Sequence, residues 1–92
     1  MVTKSINIKK LGKIVKVENY QVKNQFLILY EKGTALQSYE TLVAVRFGGQ
    51  IYLSESHDYS KTTSKYVGLF TGMDTAERRK GLKNGTIGTI KE

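Results

Sequence analysis

The sequence predicts an α+β fold: an antiparallel β-sheet meander of about four to five strands, two short helices and a candidate C-terminal strand. Three observations carry that prediction. Residues 1–53 are rich in Val, Ile, Tyr, Leu and Phe, which favour strands. From about residue 60 onward the apolar period becomes helical. The order is strands, then helices, then a short tail, with no βαβ alternation. The 92 residues leave room for one domain, 1–92. A chain of that size buries only around 60–65% of its unfolded surface, so its core is modest.

The elements follow in order. Gly12 to Tyr20 contains Ile14-Val15-Lys16-Val17 and reads as a strand. Val22 to Tyr30 is the strongest strand. Phe26, Ile28 and Tyr30 alternate with Leu27 and Leu29, so both faces are apolar and a central position is expected. Glu31-Lys32-Gly33-Thr34 reads as a turn. Leu42 to Phe47 sets Val43, Val45 and Phe47 on one face and Leu42, Ala44 and Arg46 on the other. Gly48-Gly49 offers a two-residue primed turn, and Gln50 to Leu53 returns as the partner strand.

Thr62 to Thr71 is the first helix. Tyr66, Leu69, Phe70 and Met73 follow the i, i+3, i+4, i+7 spacing, with Val67 beside them. Gly72 can stop it in the left-handed conformation, with Met73 folding back onto Val67. Asp74 can cap the next helix, with Glu77 at the capping-box position. That helix, residues 75–83, is short and basic and ends at Asn84-Gly85. Thr86 to Ile90 is the last strand candidate, though Gly88 interrupts its alternation.

Composition excludes several functions. There is no Cys, so disulfide scaffolds, thiol catalysis and thiolate zinc sites are out. A single His rules out a multi-histidine metal site within one chain. His57-Asp58 is the only His–acid neighbour pair, and it sits in the polar stretch Ser54 to Asp58, read as a solvated loop. Gly48-Gly49 lacks the Lys-Ser/Thr of a phosphate loop. The chain therefore reads as non-enzymatic, without cofactor, metal or small-molecule substrate, and His57→Ala is expected to leave function intact. The N-terminus has no apolar run of leader length, and the longest apolar stretch, Phe26 to Tyr30, is too short to span a bilayer. A cytoplasmic protein with no membrane partner is expected.

The remaining signal is charge. Fifteen Lys and Arg against eight acids give +7. Residues 1–46 hold eight basic and three acidic residues, net +5, and residues 47–92 hold seven and five, net +2. Lys9, Lys10, Lys13 and Lys16 form one cluster, and Arg78, Arg79, Lys80 and Lys83 form another on the second helix. At 100° per residue Arg79, Lys80 and Lys83 share a helix face and Arg78 flanks it. The bland account of the second cluster is a solvated helix with cations near its negative end. The functional account is an electrostatic footprint for phosphate or an acidic protein. Whether the two clusters form one surface decides between a broad footprint and a local one. No helix-turn-helix, zinc-finger or RNA-recognition signature accompanies them.

The residues Ser38-Tyr39-Glu40-Thr41-Leu42-Val43-Ala44, then Tyr52-Leu53, then Asp58-Tyr59-Ser60-Lys61-Thr62-Thr63-Ser64-Lys65, and finally Phe70, form a pattern. It resembles a family of small phage and plasmid proteins without established chemistry. The resemblance implies a mobile-element setting. Physically, Ser60, Thr62 and Thr63 stand at a helix entrance, where hydroxyls accept from free N–H groups, and Tyr59 can serve as a hydrophobic staple. The same hydroxyls, flanked by Lys61 and Lys65, suit phosphate at a helix N-terminus. The expected function is an accessory protein that binds and inhibits a nucleic-acid-containing host defence complex, of CRISPR or restriction type. The alternative is a direct, largely nonspecific DNA- or RNA-binding protein.

Overall fold

The computed structural model describes residues 5–91. Residues 1–4, part of the N-terminal segment read above for a leader, and residue 92 lie outside the described residues. The strands are β1 (Ser5–Asn7), β2 (Ile14–Asn19), β3 (Gln25–Tyr30), β4 (Gly33–Ser38), β5 (Thr41–Phe47), β6 (Gln50–Leu53) and β7 (Gly88–Lys91). Helices α1 (Lys61–Thr71) and α2 (Thr75–Asn84) separate β6 from β7. All seven strands form one sheet, ordered β1-β7-β6-β5-β4-β3-β2. β2 to β6 are an antiparallel meander. β7 returns after the helices and pairs in parallel with both β6 and β1, so the sheet is mixed. The α+β class holds, with more strands than the expected four to five.

The two additional strands have identifiable reasons. The turn after β3 needs only Glu31-Lys32, so Gly33 and Thr34 already belong to β4. β1 is three residues long and completes its hydrogen bonds only against β7, which makes it invisible to a local pattern. β3 lies second from the edge and β5 lies in the middle. β3 is apolar on both sides because both sheet faces carry apolar cover, not because it is central.

Two buried clusters show that double cover. One joins Leu36, Val43, Ala44 and Leu53 to Tyr66, Val67 and Phe70 of α1 and to Ile87. The other joins Ile6, Ile28, Ala35 and Val45 to Leu11, which closes the 3-10 turn Ile8–Leu11. Ala35 and Leu36 are consecutive on one strand yet fall in different clusters, as do Ala44 and Val45. Consecutive strand residues point to opposite faces, so the helices cover one face and the 3-10 turn the other. Val43 departs from the predicted alternation. Ala44 pairs with Leu36 and Leu42 with Gln37, which leaves Val43 as the extra residue of a β-bulge. It therefore joins Ala44 on the helix side.

Gly33 is where the smaller cover touches the sheet. A Cβ there would stand 2.7 Å from the Arg46 carbonyl oxygen and 2.7 Å from Leu11 Cδ2. Gly33→Ala is expected to cost about 2 kcal/mol in urea unfolding, since backbone cannot yield to the new methyl. A variant as stable as the parent would show that the 3-10 turn is not seated on β4.

The helix boundaries follow the predicted signals. Ser60 caps α1 by accepting from Thr63 N at 3.1 Å. Gly72 ends α1 at φ 74°, and Asp74 with Glu77 forms the capping box of α2. Gly85 ends α2 at φ 85°. The buried face of α1 is Thr63, Tyr66, Val67 and Phe70, and Leu69 is half exposed. Met73 packs against the helix-side cluster, which includes Val67. Tyr59 is exposed and makes no staple.

Candidate functional site

An open groove of about 560 Å³ runs between α1, α2 and the 3-10 turn Glu55–Asp58 that precedes α1. Three kinds of residue build it. Lys61 and Lys65 lie one turn apart on α1 and are exposed. Ser60, Ser64 and Thr75 supply hydroxyls. Arg78 and Arg79 come from α2. The caps fix this arrangement: Ser60 sets where α1 begins, and Asp74 sets where α2 begins.

Arg78 is the organising side chain, and it is buried at 1% exposure. The expectation of a surface cation is corrected here. Arg78 Nε donates to His57 Nδ1 at 3.2 Å, Nη1 to the Met73 carbonyl at 2.7 Å, and Nη2 to Ser64 Oγ at 2.7 Å and Thr75 Oγ1 at 3.1 Å. Every one of these acceptors is neutral. Burial lowers its pKa from the ordinary value, while Asp58 and Asp74 act in the opposite direction. A guanidinium stays protonated at neutral pH even so. The groove floor therefore carries a fixed positive charge with no carboxylate hydrogen-bonded to it among the described residues.

His57 is corrected with it. The solvated loop is a 3-10 turn, and His57 is its buried residue. Desolvation pulls its pKa below the ordinary value; Asp58 raises it, and Arg78 and Arg79 lower it further. Because Nδ1 accepts from Arg78, the neutral ring carries its proton on Nε2. Asp58 is occupied too: Arg79 Nε and Nη2 both donate to its Oδ2, at 3.0 and 2.7 Å. That hydrogen bond holds the Asp58 carboxyl below its usual range.

The other expected cations lie elsewhere. Lys80 and Lys83 are exposed on α2, and Lys80 borders a separate depression beside Gly81 and Ile87. Lys9 and Lys10 belong to the 3-10 turn whose Leu11 covers the opposite sheet face. Lys13 precedes β2 and Lys16 lies on it, at the edge of the sheet. Lys9 and Lys10 are thus set across the sheet from α2, and Lys13 and Lys16 lie at its far edge, so the first cluster is itself divided and does not gather at the groove. The groove brings together Lys61, Lys65, Arg78 and Arg79 out of the ten predicted.

Sequence reasoning missed a buried polar chain between the sheet and α1. Gln25 Nε2 donates to Ser38 Oγ at 2.9 Å, and Ser38 Oγ lies 2.8 Å from Thr63 Oγ1. This bond network ties β3 and β4 to the first turn of α1. It gives Ser38 and Thr63 of the sequence pattern a structural role. Arg46 was also missed: it donates to the Phe70 carbonyl and lies 4.7 Å from the Phe70 ring centroid. Neither contact has a local sequence signal.

A family profile described as "Family of unknown function (DUF8033)" matches residues 9–85. The chain belongs to that family. The match runs from the 3-10 turn before β2 to the end of α2, well upstream of Ser38, and includes every groove residue named above. No curated protein and no solved structure matches the chain. Among the described residues no group of three or more His, Cys, Asp or Glu could hold a metal ion. No helix there is long and apolar enough to cross a membrane.

Proposed function

We propose that this chain is a non-enzymatic protein that binds the phosphate backbone of nucleic acid through the groove between α1 and α2. The supporting observation is the charge pattern of that groove. Lys61 and Lys65 stand at its rim and the buried Arg78 charge lies beneath, among the hydroxyls of Ser60, Ser64 and Thr75. Of the two acids present, Asp58 is already paired with Arg79. Lysines at a rim act as point charges and read no sequence, so the binding is backbone-directed. His57 is committed to Arg78 and offers no free base beside a nucleophile.

The narrower proposal sets that backbone within a host nucleoprotein complex and makes the protein a phage or mobile-element inhibitor, of anti-CRISPR or anti-restriction type, acting in the host cytoplasm. Its support is the sequence resemblance together with the small basic groove. The alternative is direct, largely nonspecific binding of DNA or RNA, supported by the openness of the groove.

One titration tests the shared core. Fluorescence anisotropy with labelled duplex and single strand is followed over a salt series. The double variant Lys61→Glu, Lys65→Glu is expected to lose at least about tenfold in affinity, with a salt slope shallower by about 2. Lys9→Glu with Lys10→Glu, on the opposite face, is expected to change far less. Equal affinity of the groove variant and the parent would remove the groove from consideration. Inhibition of nucleic-acid cleavage by a purified CRISPR or restriction effector, at concentrations that leave bare duplex unbound, selects the inhibitor over the direct binder.

A further inference from the structure

Among the described residues, the outer edge of β2 is the clearest feature without a partner. β2 is the last strand of the sheet, and all six of its residues are exposed. Three of them are large and apolar: Ile14, Val15 and Val17, with Val15 at 68% exposure. An edge of this kind presents unpaired N–H and C=O groups to any strand that can match it. The irregularity in β2 falls between Ile14 and Lys16, which leaves Lys16 to Asn19 in regular register with β3.

The backbone phase of that segment can be read directly. Tyr20 N donates to the Gln25 carbonyl on β3. Stepping back by two along an antiparallel ladder, Glu18 and Lys16 direct their backbone groups to β3 as well. Val17 and Asn19 therefore direct theirs outward.

We propose that β2 pairs antiparallel with β2 of a second copy of this chain, about a two-fold axis at Val17. Self-complementarity is the argument for that occupant. With Val17 opposite its own equivalent, the two outward-facing backbones exchange both hydrogen bonds. Lys16 then stands opposite Glu18 of the other copy, and Glu18 opposite its Lys16. These fall in the non-hydrogen-bonded pairs, where facing side chains come closest. Lys16 and Glu18 already lie on one side of the strand, 3.2 Å apart, so pairing exchanges the two intrachain contacts, one in each copy, for two interchain ones. Val17 lies on the other side, above Ile28, and meets its own equivalent there. A shift of one residue loses the charge pairing, so the strand specifies its register. An isologous two-fold contact is also the commonest form of homodimer.

Sedimentation over a concentration series tests the proposal. The parent is expected to move from 10.4 kDa toward twice that mass, in the tens to hundreds of micromolar, as suits a small interface. Val17→Pro removes an outward N–H and leaves the β2–β3 bonds in place, so it is expected to stay monomeric with an unchanged circular dichroism spectrum. K16E and E18K chains are each expected to dimerise at least about tenfold more weakly, because like charges then face each other. Mixed in equal amounts they are expected to form a heterodimer, because one chain then carries two acids in this window and the other two lysines. A parent that stays monomeric at millimolar concentration overturns the proposal. So does a Val17→Pro chain that dimerises like the parent, or a mixture no tighter than its components. The groove variants Lys61→Glu and Lys65→Glu do not touch this edge, so the two proposals fail separately.

Discussion

Arg78→Ala is expected to lower stability by about 4 kcal/mol and the melting temperature by roughly 15–30 °C, the largest effect of any change in the helical half. The reason lies in how α2 is held. Its buried residues are Arg78 and Gly81, with Leu82 only partly buried. α2 therefore docks less by an apolar face than by one guanidinium that reaches the 3-10 turn, α1 and its own first turn. Truncation strands the His57 and Met73 acceptors and opens a void beside Gly68, whose Cβ position is 3.3 Å from Arg78 Nη1. Ser64 Oγ and Thr75 Oγ1, 2.9 Å apart, can still satisfy each other. Arg78→Met separates the contributions, since it refills the space without restoring the hydrogen bonds, and about half of the loss is expected to remain. Urea unfolding gives both numbers. A loss below about 1 kcal/mol for Arg78→Ala would mean that α2 is held by something else.

Arg78 also shows where the sequence stops speaking. It sits in the run Arg78-Arg79-Lys80, and nothing local separates it from its neighbours. Helical periodicity only places it beside their face; the direction of that side is set by His57 and by Ser64 of α1, earlier in the chain. His57 escapes sequence reasoning for the same reason, because a polar stretch looks solvated until a buried cation requires an acceptor. Signals that act within four residues were legible. The Asp74–Glu77 capping box, the left-handed Gly72 and Gly85, and the Gly48-Gly49 turn with φ of 58° and 76° all stand where the residues put them. The β5 bulge was not legible, because the extra residue is defined only by β4 opposite it. β4 itself was hidden by Gly33 and Thr34, turn residues that here begin a strand.

The same contact makes the fold sensitive to mild acid. His57 in the folded chain has a pKa below the ordinary 6.5, chiefly through burial. The unfolded chain thus takes up the proton first as pH falls. Stability from this group is complete above about pH 6.5, drains as pH falls from there through the lowered folded value, and levels off beneath it. Protonation removes the Nδ1 acceptor from Arg78 and adds a cation beside Arg78 and Arg79, which Asp58 offsets only in part. The Asp58 carboxyl does not confuse the measurement, because Arg79 moves its own titration below the usual 3.8. Unfolding free energy measured between pH 8 and 5 is expected to fall in the parent. His57→Asn, whose amide oxygen can replace Nδ1 as acceptor, is expected to flatten that fall. His57→Ala is expected to flatten it too, from a level lower by about 2–3 kcal/mol, because the space and the acceptor are both lost. It is not the innocuous change that a surface histidine would be. A parent equally stable at pH 7.5 and 5, or a His57→Asn chain with the parent's slope, would show that the ring beside Arg78 is not the titrating group. The histidine that sequence alone assigns to a loop thus makes the groove less stable in mild acid than at neutral pH and above.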